Sequence, residues 1–200
     1  MVGSGSDVSY IGAYASQSSG TITYSGCTLG DAVPKHVVVA FVADSTSAAT
    51  VTIAGVTATV VPTAGAHQYA IAETAESTGN ITITYGATVK WRCIGVFAVY
   101  GGMSYVSQFY GYGASPGSGT SGTVNVDQGG AVIALANDVL AKGTGAGSLS
   151  GVTDLQTVIL PNNAFTDLYF KFGLAKNLNA NAAYPVSSSV LYVLSIMSFK

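Results

Sequence analysis

Apolar side chains in this chain recur at every second position and almost never at the three- and four-residue spacing of a helix. That period narrows the possible folds more than any other feature, because successive side chains of a β-strand point to opposite faces. Residues 49–61, ATVTIAGVTATVV, show it in miniature. With Ala54-Gly55 as a two-residue turn, Ile53 faces Val56, Thr52 faces Thr57, Val51 faces Ala58 and Thr50 faces Thr59. One face is then Val51, Ile53, Val56 and Ala58, and the other is threonine throughout. Asn-Gly would signal this turn more strongly, since Ala tolerates a positive φ poorly. A type I turn with Gly55 at a bulge position is the competing register.

The same alternation, punctuated by turn residues, predicts strands over 7–14, 20–24, 36–44, 68–73, 80–85, 88–100, 103–110, 122–127, 130–137, 167–176 and 189–199, besides the hairpin at 50–61. About a dozen strands are more than one open sheet holds without curling or splitting. In DLYFKFGLAK, Leu168, Phe170, Phe172 and Leu174 share one face while Tyr169 and Lys171 share the other, so this strand is expected to be half exposed. VKWRCIGVFAVY, 89–100, begins amphipathic and becomes apolar on both sides, as a strand in the middle of a sandwich does. The last strand, 189–199, is apolar on both faces and belongs either between sheets or under another subunit. Gly/Ser-rich segments at 111–122 and 142–154 read as loops, the first of them flexible. The expectation is an all-β chain with little or no helix. It is a single two-sheet antiparallel sandwich over 1–200, best fitted by a jelly roll, with no internal repeat in view.

Composition then bounds the partners. A chain of 200 residues buries roughly 70% of its unfolded surface and needs no staples to fold. Charged residues are only 8%, against about 25% in a typical domain. Solubility rests on Ser, Thr, Gly, Asn and Tyr, and such a surface suits a protein that lives against copies of itself or a larger assembly. The longest apolar run, VVVAFVA at 37–43, is far short of the about 20 residues of a spanning helix, so no membrane partner is expected. The basic residues Lys35, Lys90, Arg92, Lys142, Lys171, Lys176 and Lys200 are scattered and the formal net charge is −2. With no basic stripe to neutralise phosphates, no nucleic-acid partner is expected either. MVGSGSDVSY lacks a basic segment followed by an apolar one, so no signal peptide is read and folding in a cytoplasm is expected. In that compartment Cys27 and Cys93 are expected to be two buried thiols.

Catalytic and metal-binding patterns are weak. His36 opens an apolar strand and His67 sits in the turn TAGAHQY, neither with a cysteine or carboxylate at ligand spacing, so no metal or other cofactor is expected. No GxSxG elbow is present. Glu73 and Glu76 read as a solvated loop pair, whereas a glycosidase needs two carboxyls facing each other across a cleft. Asp127, Asp138 and Asp154 flank Gly-rich turns, where Asp usually satisfies turn backbone through its own side chain. Gly129-Gly130 precedes a strand with no following helix and is not a phosphate loop. The chain reads as a non-enzyme with no catalytic residue to name.

One segment has recognition character. In YVSQFYGYGAS, 105–115, Phe109, Tyr110 and Tyr112 crowd the entry to the Gly/Ser loop beside Gln108. Tyrosines in such surroundings supply rigid contact area with a polar tip, the chemistry of paratopes and of sugar-stacking sites. The plainer reading is that they cover the end of the sandwich or pack on a neighbouring copy. The two-sided terminal strand supplies a second candidate interface through Leu191, Val193, Met197 and Phe199.

The run PKHVVVAFVAD…ATVTIAGVTATVV…QYAIAE…GNITITYG…VKWRCIGVFAVYGG resembles a β-rich module of virion structural proteins from tailed bacteriophages and related gene-transfer particles. There, a strand like HVVVAF is followed by a hairpin of the pattern I-G-G-V-x-A-T-V-V, a strand like NITITYG and one ending in IGVFAVYG. GTVNVDQGGAVIALA is similar to the half that follows, so the likeness covers about residues 8–137. Ala54 departs from it, standing where the pattern favours a second glycine. The resemblance implies a jelly-roll-like subunit of a capsid or tail: a decoration protein, a head-spike or fibre base, or a tail component. Its partners would be other virion proteins and copies of itself, as a trimer or pentamer. A rival reading is a module that binds a host-surface glycan through Tyr110 and Tyr112. A secreted β-rich filament or surface-layer subunit is a third.

Overall fold

A computed structural model describes residues 7–17, 20–44, 49–62, 66–179 and 182–200. Much of the segment read for a signal peptide therefore lies outside the described residues. Among those described there is no helix, and the strands number seventeen. Where the alternation predicts one sandwich, the chain divides into two compact units, 7–103 and 104–200.

In the first unit, β1 (Asp7–Ser16), β9 (Arg92–Tyr100), β3 (Lys35–Ala43), β7 (His67–Thr74) and β6 (Thr59–Pro62) lie side by side in that order. The second sheet runs β2 (Ile22–Thr28), β8 (Thr78–Tyr85), β4 (Ala49–Ile53), β5 (Val56–Thr57). First strand sits beside last and second beside next-to-last, which is the wound connectivity of a jelly roll. Every pairing is antiparallel. Between the sheets, Val37, Val39 and Phe41 of β3 and Ile94 and Val96 of β9 share a core with Tyr24, Val51, Ile53, Ile81 and Ile83. Burial of each aliphatic side chain there contributes about 1.5–3 kcal/mol relative to exposure.

The hairpin forms with the expected pairing, Ile53 opposite Val56 and Thr52 opposite Thr57. Ala54 (φ 50) and Gly55 (φ 80) are both left-handed, the mark of a type I′ turn. Two details differ. Thr59 leaves the hairpin and pairs with Ile71 of β7 instead of facing Thr50. Val56, assigned to the apolar face, is exposed because β5 is a two-residue strand at the sheet edge. Thr52 and Thr57 stand opposite each other as expected, and the sheet extends their row through Thr82 to Thr23. The Thr23 and Thr82 hydroxyls lie 2.9 Å apart.

The second unit repeats the connectivity. One sheet runs β10 (Tyr105–Tyr112), β17 (Val193–Phe199), β12 (Gly130–Ala141), β15 (Thr166–Leu178), β14 (Thr153–Pro161). The other runs β11 (Thr120–Val126), β16 (Ala182–Ser188), β13 (Leu149–Ser150). Position by position this is the order of the first unit, with no counterpart of β5. The internal repeat that the sequence does not display is thus present in the fold. Its clearest local trace is Gly55-Val56-Thr57 after β4 and Gly151-Val152-Thr153 after β13, with the two glycines at φ 80 and 83. Strand β4 has five residues and β13 only two, so the copies drift out of any fixed period. The core of this unit joins Val132, Ala134, Leu194 and Ile196 to Val124, Val126, Leu149 and Val186.

Several expectations are corrected. Strand β15 is buried on both faces, since Tyr169 packs in the core and Lys171 forms an ion pair with Asp154 of β14. Strands β13, β14 and β16 have no counterpart in the predicted set. Strand β13 is two residues long and falls, with the start of β14, inside the expected loop at 142–154; β14 lacks alternation, and Pro185 disguises β16. Pro185 is tolerated because β13 pairs only with Ser187 and Ser188. His67 opens β7, buried, instead of sitting in a turn. Cys27 and Cys93 are free and buried. Burial pushes the Cys93 thiol far up, and raises that of Cys27 as well.

Candidate functional site

Among the described residues, strand β10 is the first of its sheet and pairs with β17. It runs through Tyr112, and β11 begins at Thr120, so the expected flexible loop at 111–122 contracts to 113–119. That connection is tied down. Gly113 donates its N–H to the Tyr192 carbonyl at 2.7 Å and Gly119 to that of Val190 at 3.0 Å. Gly117 donates to the Asp138 carboxylate at 2.8 Å.

The two-residue period of β10 separates the named aromatics. Phe109 points inward and packs against the core, over Gly122, where a Cβ would overlap its ring. It is a structural residue. Tyr110 and Tyr112 point the other way; their hydroxyls are 2.6 Å apart and their rings meet edge to face, centroids 5.2 Å apart. Tyr192 joins them, its ring 5.3 Å from that of Tyr112. Tyr192 has no signal in the sequence: it reaches the cluster only because Tyr112 pairs with Val193. Tyr112 is 56% exposed, and Gln108 on the same strand is exposed.

Beside Tyr112 lies a cleft of about 350 Å³ lined by Gly113, Ser118, Gly119, Thr120, Ser121, Ser187 and Ser188. Its floor is built by hydroxyls turned onto backbone: Thr120 donates to the Tyr192 carbonyl, and Ser188 accepts from Leu191 N–H at 2.9 Å. Asp138 is buried behind it, one oxygen accepting from Gly117 and Tyr192 and the other from Val139. The cleft thus offers ring faces and hydroxyls, suited to stacking and neutral hydrogen bonding. Among the described residues no group of three or more His, Cys, Asp or Glu side chains could hold a metal ion.

The second candidate interface is relocated. Leu191, Met197 and Phe199 are fully buried within the single chain, and Val193 is partly buried. Strand β17 lies between β10 and β12. Removing it would take out a middle strand of its sheet, so it leaves little area for another copy to cover. Three of the scattered basic residues are likewise internal. Lys35 donates to three carbonyls, Arg92 donates to the Gly20 carbonyl and lies over the Tyr85 ring, and Lys171 meets Asp154. Of the acidic pair, Glu73 lies on β7 and Glu76 beyond its end, both exposed. Comparison of the chain with protein-family models, with curated proteins and with solved structures gives no match.

Proposed function

We propose that the protein is a non-enzymatic structural subunit of a phage-type virion: a capsid decoration protein, a head-spike or fibre base, or a tail component. It acts by docking on the particle and on copies of itself. The observation that carries this reading is the succession of two jelly-roll units in a chain with only 8% charged residues. Jelly rolls recur in capsid architecture, and weak surface charge leaves little repulsion between neighbouring copies. The resemblance of residues 8–137 to virion modules supports it. The surface for self-association is the exposed aromatic side of β10, with Tyr105 and Tyr112 exposed, since tyrosines are enriched at protein interfaces. Native mass spectrometry tests this directly. A closed trimer or pentamer is expected, and a strict monomer at tens of micromolar removes the self-association mechanism.

A second reading is favoured by the tyrosine cluster itself: a glycan-binding module that stacks a sugar on Tyr112 beside the hydroxyl-lined cleft. Replacing Tyr110 and Tyr112 together by Ala abolishes glycan binding and leaves the melting temperature nearly unchanged. Unaltered binding in that variant discards this reading.

A further inference from the structure

Among the described residues Phe165 is the most exposed large apolar side chain, at 82%. It sits in the turn between β14 and β15, and the backbone of that turn is tied down. The Asn163 side-chain carbonyl accepts the N–H groups of Phe165 at 2.8 Å and Thr166 at 2.9 Å. The Asn162 side-chain amide donates to the Thr166 hydroxyl at 3.0 Å, and the Phe165 carbonyl accepts from Lys142 N–H at 3.0 Å. The ring is thus held out by a preorganised turn, so docking it orders little further backbone. An aromatic side chain buries about 150–250 Å² when it enters a pocket.

The same unit carries an apolar cavity. Among the described residues β14 is the last strand of one sheet and β13 the last of the other, and Gly151 and Val152 cross between them. Beside that crossing lies a cavity of about 590 Å³, walled by Val152, Leu155, Leu174, Leu178 and Tyr184. Tyr184 forms its inner end, packed against the core of the unit. Among the described residues of its wall, Lys176 alone carries a charge. Phe165 does not reach this cavity in its own chain, because the turn lies at one end of β14 and β15 and the cavity at the other. From Phe165 to Leu174 the extended chain spans about 30 Å. Ring and cavity therefore meet only between chains. Asp167 flanks the ring and Lys176 the cavity, so the two surfaces carry opposite charge. Since one chain holds both halves of the contact, the partner that fits is a second copy.

We propose that Phe165 of one copy seats in the cavity at Tyr184 of the next, with Asp167 facing Lys176 across the rim. The proposal rests on the reading of the chain as a self-associating subunit, and names a contact for it besides the aromatic side of β10. Because ring and cavity are different surfaces, the contact is head-to-tail. It closes into a ring of copies or propagates as a filament according to the rotation between neighbours.

The test is sedimentation velocity and native mass spectrometry of the full chain over a hundredfold range of concentration. Wild type is compared with F165A, L155E, K176E and the double variant D167K/K176E, after their melting temperatures are measured. Phe165 and Lys176 are exposed, so F165A and K176E keep the fold and carry the test even where L155E does not fold. F165A is expected to raise the dissociation constant of the oligomer at least tenfold, as truncation of a buried aromatic anchor does. K176E is expected to weaken association several-fold, and D167K/K176E to regain most of that loss. Mixed together, F165A, which keeps the cavity, and L155E, which keeps the ring, associate more tightly than either does alone. A wild type that stays monomeric throughout overturns both this contact and the self-association reading. Oligomers unchanged in F165A overturn the contact and leave self-association through β10 standing. Oligomers lost in F165A but indifferent to the cavity variants seat the ring on another surface and overturn the cavity as its partner.

Discussion

The carboxylate of Asp138 accepts the backbone N–H of Tyr192 at 3.2 Å, and the same oxygen accepts that of Gly117 at 2.8 Å. Two segments far apart in the chain, the 113–119 connection and the approach to β17, are thereby fixed to one side chain of β12. The tyrosine cluster is thus braced from behind by a buried acceptor.

Asp138→Ala therefore strands two or three backbone donors. A stability loss of about 1–3 kcal/mol is expected, read from urea denaturation. Asn in its place recovers only part, because its amide nitrogen brings a donor to face donors. If D138A leaves both stability and the near-ultraviolet tyrosine signal unchanged, Asp138 does not anchor the cluster.

What the sequence discloses and what it hides follow from the range of the forces involved. Strand identity is local: alternation gives β3, β9, β12 and the 49–61 hairpin, down to the opposition of Ile53 and Val56. The wound connectivity that doubles the jelly roll depends on pairings such as Lys35 with Tyr100 and Ala131 with Phe199, which no local pattern encodes. The same is true of the site. Tyr110 and Tyr112 stand out because they crowd one segment, whereas Tyr192 and the pairing of Ser121 with Ser187 are brought in by register alone. Phe109 misleads because crowding in sequence says nothing of which face a residue takes. The two-sided apolar pattern of β17 is legible, but it marks a middle strand of its own sheet.

Ala54 and Gly79 are in close packing. A Cβ added to Gly79 would lie 2.7 Å from that of Ala54. Gly79→Ala is expected to cost about 1–3 kcal/mol through overpacking. Ala54→Gly alone is nearly neutral, since relief of the left-handed alanine at φ 50 offsets the added freedom of the unfolded chain. The double variant regains at least half of the G79A loss. Additive losses in this thermal-denaturation cycle would show that the two positions do not meet.

Lys35 is buried with its ammonium on the carbonyls of Asp31 at 2.6 Å, Glu76 at 2.9 Å and Val33 at 3.4 Å. Desolvation lowers its pKa from the ordinary 10.5, partly offset by the charges of Asp31 and Glu76. The unfolded chain thus holds this proton more tightly than the folded one, so raising the pH toward 10.5 adds stability through this group. Lys35→Met is expected to cost about 1.5–3 kcal/mol at pH 7, from the loss of charge-assisted hydrogen bonds. The gap between wild type and K35M widens from pH 7 to 10. A gap that narrows over that range contradicts the placement of the ammonium.

Cys93 is completely buried in β9, opposite Ala15 and Val42, and Cys27 is buried in β2 with its thiol 3.3 Å from the Tyr24 carbonyl. Burial raises both thiol pKa values, which removes the thiolate that attacks electrophiles. Native protein treated with a maleimide at pH 7.5 is therefore expected to stay unmodified over an hour. In guanidinium, two adducts per chain appear by intact-mass spectrometry without prior reduction. Rapid labelling of the native protein would mean that β2 or β9 opens on that timescale. Failure to label in denaturant until a reductant is added would show that the thiols are joined, contrary to their free state in the fold.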